Sequence, residues 1–203
     1  GFDVVLGNPP WDKVRWEPTP FWTAVAPGLN TLNGTAREAE IARLRSSHLS
    51  EAEEESRRSE LREREKTVYK DAYRLRGAHL EYAQLMLERA LNSLNVTGRL
   101  GLVLPRQLTV LAGWKELRKA ILAQHDVDIV QGRNRGEWIF EAIDERYAVV
   151  LMTLGPRVKG QVRVSVAKSP FEVARHAESS VVLTAEELGS LSDAWAIPWF
   201  NDP

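Results

Sequence analysis

Four consecutive residues are the strongest candidates for a chemical role in this chain: Asn8, Pro9, Pro10 and Trp11. They follow an apolar run, Phe2 to Leu6, whose two valines predict a short buried β-strand that ends at Gly7. A proline fixes its own φ at about −65° and keeps the residue before it out of the helical region. We therefore predict a stiff turn that holds the Asn8 side chain and the Pro9 carbonyl group beside the flat ring of Trp11.

Two fixed oxygen acceptors beside an aromatic ring suit an exocyclic amino group on a planar substrate. The nitrogen of such a group is a poor nucleophile because its lone pair is delocalised into the ring. Hydrogen bonds from its two N–H groups to the Asn8 side chain and the Pro9 carbonyl favour a tetrahedral nitrogen with a localised lone pair. Trp11 would stack on the substrate ring. Open α/β sheets also bind their ligands at the carboxyl ends of their strands.

Three blocks, in this order, resemble the N6-adenine DNA methyltransferases: residues 1–11, the segment Gly98 to Pro105, and Ile139-Phe140 ahead of a hydrophobic strand. More narrowly, the chain resembles the large enzymes of restriction-modification and phage-defence systems over most of its length, residues 30–76 apart. The resemblance implies site-specific methyl transfer from S-adenosylmethionine to an adenine flipped out of double-stranded DNA.

The resemblance also implies roles for individual residues. It makes the turn from Asn8 to Trp11 catalytic, and it gives Phe140 a contact with the side of the flipped base. A second interpretation of Phe140, as an apolar plug beneath its loop, stays open. Related enzymes use the same four-residue turn on protein glutamine or on RNA, so the turn alone does not define the substrate.

The apolar segments predict an α/β fold. Residues 79–95 have the spacing of an amphipathic helix, and residues 100–104 form the next buried strand, so the first two strands are expected to be parallel. Strands are also expected at 127–130, 147–154 and 162–166, with 147–154 antiparallel at the far side of the sheet. With the resemblance, this describes part of a Rossmann-like class I methyltransferase sheet, mostly parallel and with helices on both faces.

Residues 34–77 differ from the rest of the chain because they are rich in glutamate and arginine and poor in apolar positions. We expect a single catalytic domain over 1–203 with a charged helical insertion at 34–77. The pattern predicts a short helix, a break near Ser46–Ser50 and a long helix of roughly 26 residues, about 39 Å in length. Acidic and basic residues nearly balance, which favours a solvated arm over a DNA clamp. Residues 12–33, with their prolines and glycines, are expected to be an irregular loop.

Four cations are candidate DNA contacts: Lys13, Arg106, Arg133 and Arg135. Arg133 and Arg135 lie in a glycine-bounded loop after a strand and form the best local basic patch. Arg106 follows the second strand, where a phosphate contact and a cap on the sheet are both open. Exposed, solvated side chains are the ordinary alternative for Lys13.

Composition limits the remaining functions. The net charge of −1 gives no global basic field, so DNA contacts must be local. The absence of cysteine excludes disulfides and thiolate metal sites and suits a cytoplasmic protein, and no apolar run has transmembrane length. The four histidines are scattered, so no metal site is predicted.

The sequence has no Gly-x-Gly turn of the kind that normally holds S-adenosylmethionine. The resemblance implies that the cofactor-binding residues, which the chain does not identify, lie mostly upstream, and that a target-recognition domain lies downstream. The chain would then be the catalytic half of an enzyme and inactive alone. The remaining alternatives are a strand-ending turn without chemistry, methylation of RNA or protein glutamine, and a non-catalytic DNA-binding or assembly module of a defence complex.

Overall fold

The computed structural model describes residues 1–75, 77 and 79–200. The chain divides into two compact units. One unit combines Gly1–Lys13 with Tyr73–Pro203, and the other is Val14–Ala72. Arg76, near the expected end of the helical insertion, lies outside the described residues.

The first unit contains a six-stranded sheet. Its strands are β1 (Phe2–Gly7), β2 (Leu94–Pro105), β3 (His125–Arg133), β4 (Ala148–Pro156), β5 (Gln161–Ala167) and β6 (Val181–Thr184). Their order across the sheet is β1-β2-β4-β3-β5-β6. β1 and β2 are parallel, as the sequence predicts, and Gly7 pairs with Leu102 near the carboxyl end of β1.

The prediction of a mostly parallel sheet is wrong, because the sheet is mixed. Among the described strands, two pairs are parallel and three are antiparallel. β4 is antiparallel, as expected, but it lies between β2 and β3 and not at the far side. The reason is local: Arg133 at the end of β3 pairs with Ala148 at the start of β4, so the chain returns at the same edge of the sheet without a crossover.

The helices of this unit are α4 (Tyr82–Ser93), α5 (Gln107–Val110), α6 (Lys115–Gln124), α7 (Pro170–Ala174) and α8 (Ala185–Leu191). Four of them, α4, α5, α6 and α8, contribute to one apolar core against the sheet. Leu87 of α4 and Leu117 of α6 are fully buried there with Leu104 of β2. The predicted amphipathic helix over 79–95 is therefore confirmed as α4.

The prediction that β1 is buried is wrong. Phe2, Val4 and Leu6 are 63%, 58% and 77% exposed. In the described chain β1 is the edge strand of the sheet, so it has a neighbour on one side only. An apolar, β-branched run specifies a strand, but its burial depends on what packs against it, which is a tertiary property.

The second unit consists of α1 (Pro18–Val25), a 3₁₀ turn (Pro27–Thr31), α2 (Gly34–Ser47) and α3 (Leu49–Ala72). α2 and α3, separated at His48, confirm the predicted short and long helices. The expectation of an irregular loop over 12–33 is wrong at α1. Pro18 stands at the start of α1, where a helix tolerates its missing N–H group.

A buried carboxylate organises the second unit. Glu55 of α3 is 5% exposed and accepts hydrogen bonds from the indole N–H groups of Trp22 and Trp16, at 2.8 and 3.4 Å. Arg45 of α2 donates two more bonds to it, at 2.7 and 2.5 Å. Trp22 is itself fully buried in a small core of this unit.

None of the helices in the described part of the chain combines the length and apolarity that crossing a membrane requires.

Candidate functional site

The predicted catalytic turn lies at the carboxyl end of β1, beside the carboxyl half of β2. Asn8 and Pro10 are exposed, Pro9 is buried, and Trp11 is half-buried. The Trp11 indole N–H donates to the Val103 carbonyl at 3.4 Å, and its ring packs against the core of the sheet. These contacts fix Trp11 to the sheet, while Asn8 presents its amide to solvent.

The loop between β3 and β4 faces this turn, and Asn134 determines its shape. The fully buried Asn134 amide donates to the carbonyls of Phe140 and Ile143, each at 2.9 Å. Its side-chain oxygen accepts from the backbone N–H groups of Ile139 and Phe140, at 3.2 and 2.9 Å. Two of these bonds span Ala142, whose φ of 56° lies in the left-handed region that non-glycine residues seldom adopt. Asn134 thus holds Phe140 in place.

Three aromatic rings meet where the turn and the loop come together. The ring centroids of Trp11 and Phe140 are 5.9 Å apart, with planes at 76°. Those of Trp11 and Tyr147 are 6.5 Å apart, with planes at 28°. Phe140 is half-buried, and its ring is edge-on to that of Trp11.

These residues border an open cleft of about 580 Å³. It is lined by Asn8, Pro9, Pro10, Trp11, Phe140, Ala142, Ile143, Asp144 and Tyr147. The structure therefore brings the four residues of the predicted catalytic turn and Phe140 to one cleft. Its chemical content is an amide, a carbonyl group and aromatic faces, which suits a planar substrate with N–H groups.

One carboxylate stands at the rim of this cleft. Arg146 donates to Asp144 and forms an ion pair with it at 2.6 Å. The Arg146 guanidinium lowers the pKa of the Asp144 carboxyl to about 2. Asp144 is therefore charged at neutral pH and already paired.

A second cleft, of about 590 Å³, lies against the first. Its lining is Trp11, Asp12, Glu81, Pro105, Arg106, Gln107, Val110, Leu111, Tyr147 and Ala148. Arg106 is exposed, and its guanidinium carbon is 5.0 Å from the centre of the Trp199 ring. Lys13 is also exposed and forms a backbone bridge with Glu81. Two of the four candidate cations thus belong to the surroundings of the second cleft.

Glu81 is the unusual acid of the second cleft, because it is only 8% exposed. Burial raises the pKa of its carboxyl, whereas a hydrogen bond from Trp114 and the charges of Lys13 and His79 act in the opposite direction. Sequence reasoning did not single out Glu81. Its position at the start of α4 is visible in the sequence, but its burial is not.

Arg133 and Arg135 line a third, smaller cavity of about 230 Å³, together with Trp138, Lys168 and Trp199. Trp199 and Phe200 of the C-terminal segment border this cavity. The Gln131 side chain donates to the Pro198 carbonyl at 2.7 Å and accepts from the Phe200 N–H at 2.9 Å. The structure thus separates the predicted basic patch from the cleft of Asn8.

The sequence analysis also missed Asn134 and Tyr147. An asparagine in a glycine-bounded loop is an ordinary turn residue, and that signal was present at Asn134. Tyr147 was assigned to a strand, but the strand begins one residue later, at Ala148, which leaves the Tyr147 ring at the clefts. In the described part of the chain, no three His, Cys, Asp or Glu residues are grouped so that they could hold a metal ion.

No protein-family model and no curated protein matches this chain. Among solved structures it is similar to a modification subunit of a proposed type I restriction enzyme from Vibrio vulnificus YJ016, with 13% identity and a TM-score of 0.48 over 92% of this chain and 34% of that one. It is also similar to a nuclease-deletion mutant of the Type ISP restriction-modification enzyme LlaGI in complex with a DNA substrate mimic, with 11% identity and a TM-score of 0.47 over 96% of this chain and 18% of that one. A third similar structure is DrdV in complex with DNA, with 10% identity and a TM-score of 0.47 over 89% of this chain and 17% of that one. The chain spans about a third or less of the length of these proteins.

Proposed function

We propose that this chain carries the catalytic turn of an S-adenosylmethionine-dependent DNA adenine-N6 methyltransferase of a restriction-modification or phage-defence system. The observation that carries the proposal is the shared cleft: Asn8 and Pro9 line it together with Trp11 and Phe140. The turn follows a strand of a mixed α/β sheet at its carboxyl end, the usual ligand position in such folds.

In this proposal the chain acts on the amino group of the substrate. The Asn8 side-chain oxygen and the Pro9 carbonyl oxygen each accept one N–H of adenine N6. The Pro9 carbonyl belongs to the backbone of the turn, and the Asn8 amide is next to it in the chain. As acceptors, the two groups would stabilise the nitrogen as its lone pair localises and its N–H groups become more acidic. No side chain with a shifted pKa is required, which agrees with the lack of a general base in the cleft lining apart from the ion-paired Asp144.

S-adenosylmethionine would supply an electrophilic methyl group. In this proposal the chain supplies only part of the pocket for it. There is no Gly-x-Gly turn in the sequence, and the carboxylate at the rim of the cleft is paired with Arg146. The proposal therefore assigns donor binding mostly to a segment upstream of this chain, and choice of the DNA site to a recognition domain downstream.

DNA contact is assigned to local cations because the net charge is −1. Arg133 and Arg135 line a cavity with Trp138 and Trp199, a combination of cations and aromatic faces that suits phosphates and unstacked bases. Arg106 and Lys13 are the candidates near the second cleft. Contacts of this kind fix the position of the duplex and do not select its sequence.

The test is transfer of a labelled methyl group to DNA by the full-length natural protein, with and without Asn8→Ala. We expect a loss of about 10²- to 10³-fold in rate, because one fixed polar contact to the reacting group is removed, with DNA affinity nearly unchanged. Asn30→Ala, which alters an exposed asparagine of the other unit, is the matched control. Methyl transfer by Asn8→Ala at the wild-type rate would refute the proposal.

The same assay separates the alternatives. RNA and a protein glutamine substrate are offered in parallel with DNA. Transfer to one of these and not to DNA would keep the chemistry and change the substrate. DNA binding that responds neither to the donor nor to Asn8→Ala, without any transfer, would favour an assembly module.

A further inference from the structure

The rings of Trp11 and Tyr147 stand between two clefts. Both residues line the cleft of Asn8 and also the neighbouring cleft of Glu81 and Arg106. The two clefts, of about 580 and 590 Å³, thus share this pair as a common wall.

The two rings are held very differently. Trp11 packs against the core of the sheet and its indole N–H bonds to Val103. Tyr147, in contrast, is 52% exposed. Its backbone, however, is fixed: its N–H donates to Asp144 and its carbonyl accepts from the Asn134 N–H, both at 3.0 Å. A change in the position of the Tyr147 ring therefore requires only rotation about its side-chain bonds, whereas Trp11 is held by the contacts given above.

The spacing of the rings is slightly too small for a base. A planar ring in contact with a second ring on each face needs roughly 7–8 Å between those two rings, twice the optimal carbon–carbon distance. The Trp11 and Tyr147 centroids are 6.5 Å apart, with planes at 28°. Widening on the order of 1 Å, well within a side-chain rotation, would admit a base. Phe140 is edge-on to Trp11 at 76° and does not offer the opposite face.

We propose that Tyr147 is a substrate-positioning residue that rotates away from Trp11 and then closes on a planar nucleobase as the second stacking face. Trp11 is the fixed face, and Phe140 lies at the edge of the base. This inference rests on the proposed function only in that a nucleobase enters the cleft. It assigns Tyr147 no part in the activation of the amino group.

The test measures stacking separately from DNA binding. The probe is a short single-stranded oligonucleotide with one 2-aminopurine flanked by thymines and a dye at its end, titrated into the full-length protein without a methyl donor. Quenching of the 2-aminopurine emission reports stacking, and the anisotropy of the dye reports total binding. The variants are Tyr147→Leu, which keeps apolar bulk without a flat ring, and Tyr147→Phe and Tyr147→Trp, which keep the ring.

We expect Tyr147→Leu to weaken the binding that quenches 2-aminopurine by about 5- to 150-fold, the range that loss of one stacked aromatic gives. Tyr147→Phe and Tyr147→Trp should quench like the wild type, a rescue that a purely structural role for the hydroxyl would not show. Because Tyr147 is exposed, the thermal unfolding midpoint of Tyr147→Leu should be close to that of the wild type.

Two results would overturn the inference: unchanged quenching in Tyr147→Leu, or no quenching by the wild type when anisotropy shows binding. The methyl-transfer assay with Asn8→Ala is scored independently. If methyl transfer to DNA is absent and Tyr147-dependent quenching is present, the proposed reaction fails and the stacking role of Tyr147 stands. The opposite pair of results would retain the reaction and remove Tyr147 from it.

Discussion

Replacement of Asn134 by alanine should open the loop that carries Phe140. The Asn134 side chain makes four hydrogen bonds to the backbone of Ile139, Phe140 and Ile143, and it is fully buried. Alanine removes all four and leaves two N–H groups and two carbonyls without their partner. Ala142, in the same loop at a φ of 56°, adds roughly 1–2 kcal/mol in favour of opening because its conformation is strained.

The magnitude follows from the bond count. Each hydrogen bond contributes a net free energy of about 0.5–1.5 kcal/mol, so four give about 2–6 kcal/mol. The loop lies at the surface and its freed groups regain water when it opens, so we expect the lower part of this range, about 2–4 kcal/mol. Exchange of the Ile139 and Phe140 amide hydrogens should then be about 30- to 1,000-fold faster, at tenfold for each 1.4 kcal/mol.

Amide hydrogen exchange and urea unfolding measure this effect, with two comparison variants. Asn134→Asp keeps an acceptor for the two N–H groups but cannot donate to the two carbonyls, so its exchange rates should fall between wild type and alanine. Asn95→Ala removes only one exposed side-chain bond, to Asp3, and should change stability by less than about 0.5 kcal/mol. Wild-type exchange rates at Ile139 and Phe140 in Asn134→Ala would refute the assignment of Asn134 as the residue that shapes the loop.

Two buried glutamates should respond to pH in opposite directions. Hydrogen bonds from Arg45 lower the pKa of Glu55 from 4.5. The charged Glu55 therefore stabilises the folded protein above pH 4.5, and this contribution is lost as the pH falls through the lowered pKa of the folded state. Glu55→Gln should reduce the free energy of unfolding by about 1–3 kcal/mol at neutral pH and by little in acid. Burial raises the pKa of Glu81 from 4.5. The protonated Glu81 therefore contributes to the stability of the folded protein below pH 4.5, and this contribution is lost as the pH rises through the raised pKa of the folded state. Glu81→Gln should consequently become more stable relative to the wild type as the pH is raised from acid to neutral. Urea unfolding of both variants and wild type at two pH values checks both signs, and parallel shifts of the two variants would contradict them.

The resemblance to the methyltransferases rests on local sequence, and local sequence correctly predicted where β1 lies in the chain, although not that it is exposed. The two prolines and the apolar run before them predict a strand that ends in an extended turn, because dihedral limits act within neighbouring residues. The helices α2 and α3 and the amphipathic helix α4 followed from charge and apolar spacing in the same way. The parallel pairing of β1 with β2 followed from the long connection between them.

Features that depend on distant pairing were not predictable in this way. β4 lies between β2 and β3 because Arg133 pairs with Ala148 and the same strand also pairs with β2, a choice that the apolar character of residues 147–154 does not determine. The exposure of β1 has the same origin, since an edge position depends on the whole sheet. The sheet is mixed because β4 is antiparallel to both of its neighbours, β2 and β3.

The candidate site likewise has features that local sequence predicts and features that depend on the pairing of distant segments. The residues that can offer an amide, a carbonyl and an aromatic ring were identifiable from the amino-acid sequence, because they lie in one turn from Asn8 to Trp11. The folded structure was needed to show that Phe140 and Tyr147, more than a hundred residues along the chain, face this turn and that Asn134 holds their loop. A strand-ending turn depends on the dihedral angles of neighbouring residues, whereas a cleft depends on strand order and loop closure, which bring distant residues together.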